Sequence, residues 1–231
     1  MKKPMILVAA LAALVFLIAA CGSDPTPAPE INQASFTASD YAFGGPQFIP
    51  AGMTEMVMTN TGRELHHQQL MTVPEGMDSN DLIAGLLSGE AGPPPPGVTA
   101  AGGVGPIGPG ATGRTTLNMT AGNYLILCFI PNAEGVPHMA LGMVKPITVV
   151  ESSAPVAALP SSKVSVDMVD FGFGLSEPIS TGPQNINVIN KGEQDHEAFL
   201  VRLAPNATAL DFVGAFAPDA PPGPPPGEGL G

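Results

Sequence analysis

Three side-chain types that bind soft metals fall together between residues 128 and 143. The stretch CFIPNAEGVPHMALGM carries Cys128, then His138 ten positions on and Met143 five further. A second source of imidazole lies upstream in NTGRELHHQQLM, where His66 and His67 are adjacent. Thiolate, thioether and imidazole in one set suit copper better than zinc, calcium or magnesium. Taken singly, each residue has a plainer explanation. A free cysteine is common in cores and methionine fills them, and an adjacent histidine pair on a strand is often one packed ring and one surface ring. Taken together they point to a metal, because all four histidines of the chain fall in this constellation or at its repeat counterpart, His196. Two competitors stand beside the chosen donors: His67 beside His66, and Met139 beside His138.

The elements that must position these groups are short strands. Tyr124 to Leu127 and Val144 to Val150 read as strands, so Cys128, His138 and Met143 share the loop between them. Cys128 ends the run NYLILC, and the end of a buried strand gives a thiolate both rigid support and shielding. Upstream, a strand from Ala34, a strand through Met56 and Met58, the turn Asn60-Thr61-Gly62, and a strand from His66 to Val73 follow in order. Asp78 to Leu87 has helical spacing of apolar residues behind Asp and Ser cap candidates. Pro93 to Pro96 reads as a stiff extended connection. Gly102 to Gly113 reads as a glycine-rich loop, Arg114 to Met119 and Asn123 to Ile130 as strands. Several short strands between turn signals make an all-β sandwich or barrel.

The chain also repeats itself. At an offset of 130 residues, Asp40 falls on Asp170, Asn60 on Asn190, Gly62 on Gly192, His66 on His196 and Asp81 on Asp211, without a gap. His67 falls on Glu197, which favours His66 as the donor. The second copy runs only to the position matching Ala101, so it carries no counterpart of Cys128, His138 or Met143. By itself it would leave an apolar face and a strand edge uncovered.

Composition bounds the rest. Lys2 and Lys3 precede an apolar run from Met5 to Ala20, and Cys21 follows at once. This is a secretory signal pattern, and LIAAC resembles a bacterial lipobox whose cysteine, Cys21, takes the lipid. Cys128 is then the remaining thiol, with no disulfide partner, which in an exported protein calls for burial or a metal. The formal charge is −12; without residues 1–20 there remain 6 basic against 20 acidic residues, near −14. That excludes nucleic acid as a partner, and an anionic membrane bound by charge. With 28 glycines and 27 prolines among 231 residues, loops are abundant. The expected divisions are residues 1–20 (signal peptide), 21–31 (Pro-rich spacer), 32–152 (first domain), 153–162 (linker) and 163–231 (partial second domain).

The motifs G-x-x-x-H (Gly62 to His66), A-G-N-Y-x-x-x-C (Ala121 to Cys128) and C-x9-H-x4-M (Cys128 to Met143) together resemble the cupredoxins, the type 1 (blue) copper domains, in the form found in bacterial lipoproteins. The resemblance covers about residues 32–152 in full and 163–231 in part. It implies an all-β, eight-stranded Greek-key β-sandwich, with a partial second sandwich. It further implies one type 1 copper, with His66 and His138 as imidazole donors, Cys128 as the short thiolate bond and Met143 as the weak axial ligand. The Cys-to-His spacing is longer than in plastocyanin-like or azurin-like proteins and closer to that of copper nitrite reductases.

The function expected from this is a one-electron carrier, lipid-anchored outside the cytoplasm and exchanging electrons with a redox protein partner. A second reading is a copper-buffering or non-redox interaction module on the same scaffold. An enzyme is not expected: a copper oxidase or nitrite reductase needs a further copper centre built from several more histidines. The chain has four in all and no His-x-His pair. The glycine-rich stretch lacks the Lys-Ser/Thr of a phosphate-binding loop.

Overall fold

The computed structural model describes residues 29–88, 95–217, 220 and 225–230. The signal segment, the lipidation position Cys21, most of the spacer and Pro93–Pro94 lie outside the described residues. No helix among the described residues is long and apolar enough to cross a membrane.

The described residues are all-β with two short α-helices. Nine strands form two sheets: β1 (Asn32–Ser39), β2 (Ala42–Gly44), β3 (Phe48–Pro50), β4 (Gly52–Asn60), β5 (His66–Val73), β6 (Ala100–Ile107), β7 (Thr112–Met119), β8 (Gly122–Leu127) and β9 (Val144–Val150). One sheet has the order β2-β1-β4-β7 and the other β3-β9-β8-β5-β6. The chain passes from one sheet to the other at β2–β3, β3–β4, β4–β5, β6–β7 and β7–β8. These crossings make a Greek-key-type sandwich. Strands β2 and β3, of three residues each, bring the number above the eight expected.

Alternation along the strands decides the packing. Phe36, Met56 and Met58 from one sheet meet Leu70, Ile126, Cys128, Met143 and Ile147 from the other in a core between the sheets. The alternate residues Met71, Val73, Leu125 and Leu127 face the outside of the second sheet. There Leu82 of helix α1 (Ser79–Leu87) and Met139 cover them. Helix α1 begins where the sequence places it, because the Asp78 side chain accepts the Asn80 N–H at 2.7 Å. This satisfies one of the free donors at the helix start.

One expectation is overturned. Gly102 to Gly113 is not a loop: its first half is the edge strand β6. The ladder between β5 and β6 slips twice, between His66 and Gln68 and between Gln69 and Met71, with the extra residues on β6. Gly102 and Gly103 have φ of 80° and 143°, a conformation that bulges demand and side chains resist. A Cβ on Gly103 would overlap the Gln68 carbonyl. The glycines that suggest a loop are therefore what lets a twisted edge strand close on β5. A smaller difference is that β8 stops at Leu127 rather than running on to Ile130.

Residues 153–162 carry no regular structure. Beyond them β10 (Val164–Val169), β11 (Gly172–Leu175) and β12 (Ile186–Asn190) form a sheet of order β11-β10-β12. Strands β10 and β12 pair in parallel with Val164 opposite Ile186. This is the β1–β4 pairing, Ala34 opposite Met56, moved by 130 residues. The short strands β13 (Val201–Leu203) and β14 (Gly227–Gly229) and helix α2 (Ala209–Gly214) follow. The apolar side of this second unit is open: Phe171 is 94% and Leu210 83% exposed.

Gly103→Ala is expected to destabilise the protein by more than about 2 kcal/mol, through steric overlap and an unfavourable backbone conformation. Urea unfolding measures it, and a change below a few tenths of a kcal/mol would refute the bulge argument.

Candidate metal centre

His66 opens β5 and points into the core between the sheets, fully buried. The turn before it is fixed by Asn60. Its side-chain amide donates to the Glu64 and Ile107 carbonyls at 2.8 and 2.9 Å, and its oxygen accepts the Gly62 N–H at 2.9 Å. Asp40, between β1 and β2, reaches across and accepts the N–H of Arg63 at 3.0 Å. It also lies 2.9 Å from His66 Nε2. The contact explains the G-x-x-x-H spacing: a Cβ on Gly62 would collide with both Asp40 Oδ1 and His66 Nε2.

Cys128 continues from the end of β8, and the loop behind it is tied back on itself. The Met139 N–H donates to the Cys128 carbonyl at 2.8 Å, the His138 N–H to Ile130 at 2.9 Å, and the Met143 N–H to the His138 carbonyl at 3.0 Å. A short 3-10 turn, His138–Leu141, carries the imidazole inward. His138 Nε2 is 2.8 Å from Glu64 Oε2. Tyr41 packs against the His138 ring at 4.9 Å between centroids, and its hydroxyl donates to Glu64 Oε1 at 3.0 Å.

Each imidazole is thus held through Nε2 by a carboxylate, which leaves Nδ1 facing inward. His66 Nδ1 and His138 Nδ1 are 3.1 Å apart, and Cys128 Sγ is 3.5 Å from His138 Nδ1. The donor atoms of His66, Cys128 and His138 all lie within 4.8 Å of one another, and all three residues are buried. A carboxylate only accepts hydrogen bonds, so each Nε2 carries the proton and each Nδ1 presents a lone pair. The protonated Cys128 thiol can donate to His138 Nδ1, but the two inward Nδ1 lone pairs face each other at 3.1 Å, a repulsion that a cation between them would relieve. This donor set fits a soft or borderline metal, with the outer carboxylates fixing each ring.

The electrostatics agree with a thiol that keeps its proton until a metal arrives. Burial pushes the Cys128 thiol up to about 11, against weaker opposing hydrogen bonds, so the thiolate forms only as a metal displaces the proton. Burial also lowers His138, while Glu64 opposes the shift. Burial works to raise the Asp40 carboxyl, but hydrogen bonds from His66, Arg63 and Glu64 outweigh it and bring it to about 2.

The two competitors are placed elsewhere. His67 points to the other side of β5, where its Nε2 accepts the Phe129 N–H at 2.7 Å. It anchors the residue next to Cys128. Met139 lies in the outer core with Leu125 and Leu127. Met143 lies in the core between the sheets with Cys128, whose N–H donates to the Met143 carbonyl at 3.3 Å. Sequence reasoning missed Asp40, Tyr41 and Glu64 as site residues. Asp40 had a usable signal, since Asp170 repeats it and lies 2.8 Å from His196 Nε2.

Neither a family model nor a curated protein matches the chain. Solved structures do resemble it. A dithionite-reduced auracyanin from the photosynthetic bacterium Roseiflexus castenholzii is 17% identical, with 53% of this chain and 99% of that one covered at a TM-score of 0.37. Auracyanin A, a "blue" copper protein from the green thermophilic photosynthetic bacterium Chloroflexus aurantiacus, is 18% identical over 52% and 100%, also at 0.37. Reduced rusticyanin is 20% identical over 51% and 78%, at 0.34. Scores this low carry no conclusion about chemistry, which rests on the donor cluster itself.

Burial lowers His67 to about 4 from an ordinary 6.5, with the neighbouring His138 and His66 adding to the effect. The unfolded chain therefore binds more protons between these values, so stability is full above pH 6.5 and falls as pH drops toward 4. The metal-free protein should lose about 3 kcal/mol across that window from His67, with His138 adding in the same direction. His67→Gln keeps an acceptor for Phe129 and should flatten the slope of urea-unfolding free energy against pH. An unchanged slope would refute the assignment.

Proposed function

We propose that the chain is a type 1 copper protein that carries single electrons. The observation that supports this best is the convergence of two carboxylate-braced Nδ1 atoms and a buried thiol within 4.8 Å. His66, His138 and Cys128 would hold the copper, with Met143 as the weaker sulfur donor. Bound copper would supply a one-electron couple at a fixed position. The chain's own residues prepare that position. Asp40 and Glu64 set the ring orientations before a metal arrives, Tyr41 shields the His138 ring, and the core between the sheets excludes water. Donors held in place by strands rather than by the metal limit rearrangement when the charge changes, which favours electron transfer.

The lipobox-like sequence ending at Cys21 supports anchoring by lipid on the outer side of a membrane. A net charge of −12 favours a redox protein partner with a basic docking face over any nucleic acid. No second catalytic centre enters this reading, and the role is carriage rather than turnover.

Adding Cu(II) to the metal-free protein should give an intense visible thiolate-to-copper band at one equivalent. Cys128→Ser should abolish it; a band that survives this change would refute the reading. Because the thiol must lose its proton, apparent Cu(II) affinity should rise about tenfold per pH unit around neutrality, measured by competition with a chelator. Asp40→Ala frees the His66 ring and should weaken Cu(II) binding by about 10- to 100-fold, read in the same competition.

A further inference from the structure

Gln68 is a fully buried side chain of β5, and neither its amide nitrogen nor its amide oxygen has a hydrogen-bond partner among the described residues. An unpaired carboxamide in such surroundings costs about 1–3 kcal/mol, and an aliphatic side chain would avoid that cost. Native proteins rarely leave such groups without a role.

Its position says what the role is. On β5, residues 66, 68 and 70 face the same side, and Leu70 lies in the core between the sheets. Strand β5 pairs with β8 through Leu70↔Ile126 and Gln69↔Leu127, so the next positions along the two chains are Gln68 and Cys128. Ile126 and Cys128 belong to the inner core, Leu125 and Leu127 to the outer one. Gln68 therefore stands on the inner face, two positions from His66 and across from Cys128. On its other flank it pairs with Val104, which is apolar. A Cβ at Gly103 would overlap the Gln68 carbonyl, so the bulge lies close against the backbone there. By strand position its polar neighbours on this face are His66, two residues before it, and Cys128, across the ladder.

We propose that Gln68 is a further residue of that centre, its carboxamide oxygen serving as a weak neutral donor to the bound copper beside Met143. A carboxamide oxygen is a known kind of weak axial donor to copper. With no hydrogen bond holding either end, the amide is free to present its oxygen. An oxygen donor is harder than a thioether and favours Cu(II) over Cu(I). Gln68 then biases the oxidised form, which Cys128 and Met143 alone would not. This rests on the copper reading above.

The test compares the full chain with Gln68→Leu and, as a second variant without a donor atom, Gln68→Ile. Each is loaded with Cu(II) and, separately, with Cu(I). In the metal-free state the variants should be as stable as the parent or more so, since an orphaned amide has been removed. Loaded with Cu(II), they should bind about tenfold more weakly, with a displaced visible band and altered copper hyperfine splitting, while Cu(I) affinity is unchanged. Equal Cu(II) affinity and identical spectra in parent and variants would overturn the role of Gln68 and leave the copper reading intact. A parent protein without a thiolate-to-copper band would overturn both.

Discussion

The centre depends on two carboxylates placed behind two imidazoles. Asp40 and Glu64 each take the Nε2 side of a histidine, and that choice turns both Nδ1 atoms toward Cys128. A histidine ring on a single strand can rotate about two bonds. Pinned at its far nitrogen, it has one useful orientation left. The cost is borne by the metal-free protein, which must keep two lone pairs 3.1 Å apart on fully buried rings. A cation would remove that repulsion, so the cluster is already shaped to hold one.

That arrangement asks three distant parts of the chain to meet. Asp40 comes from the turn between β1 and β2, Glu64 and His66 from the turn into β5, and Cys128 and His138 from the loop between β8 and β9. The two sheets bring them to one end of the sandwich. Asn60 is the joint: its amide holds the Glu64 carbonyl on one side and the Ile107 carbonyl on the other. The inner face holds Met143 and the outer face holds Met139, although only three residues separate them. The 3-10 turn between them moves the chain across the sheet edge.

The second unit shows the same brace without its completion. Asp170 and His196 reproduce the Asp40–His66 contact, and Asn190 repeats the amide contacts of Asn60 at 2.7 and 2.9 Å. Phe171 occupies the position of Tyr41 and Gln194 that of Glu64, so the hydroxyl and carboxylate that hold the second imidazole are missing. Phe171 stands in solvent, 94% exposed. Local structure around the histidine is thus encoded within about thirty residues, whereas the cluster needs strands that arrive much later in the chain.

Much of this was legible in the residues alone. Alternation in HHQQLMTV and NYLIL and the capping aspartate before SNDLIAGLL specify β5, β8 and α1, because these are local patterns of burial and backbone satisfaction. The types Cys, His and Met specify a soft-metal donor set because ligand chemistry belongs to the side chain itself. What the sequence could not fix is which side of the sheet each donor faces and what stands behind it. The glycines of β6 looked like a loop because a bulge and a loop demand the same backbone freedom. Only its pairing with β5 tells them apart. His66 and His67 differ by one position and so face opposite sides of a sheet, one toward the thiol and the other toward a backbone N–H. Asp40, Tyr41 and Glu64 carry no motif, since a carboxylate or a phenol becomes part of such a cluster only through its neighbours in space. The ligand types were set by the sequence; their convergence, their orientation and the carboxylates that enforce it were decided by two sheets closing on each other.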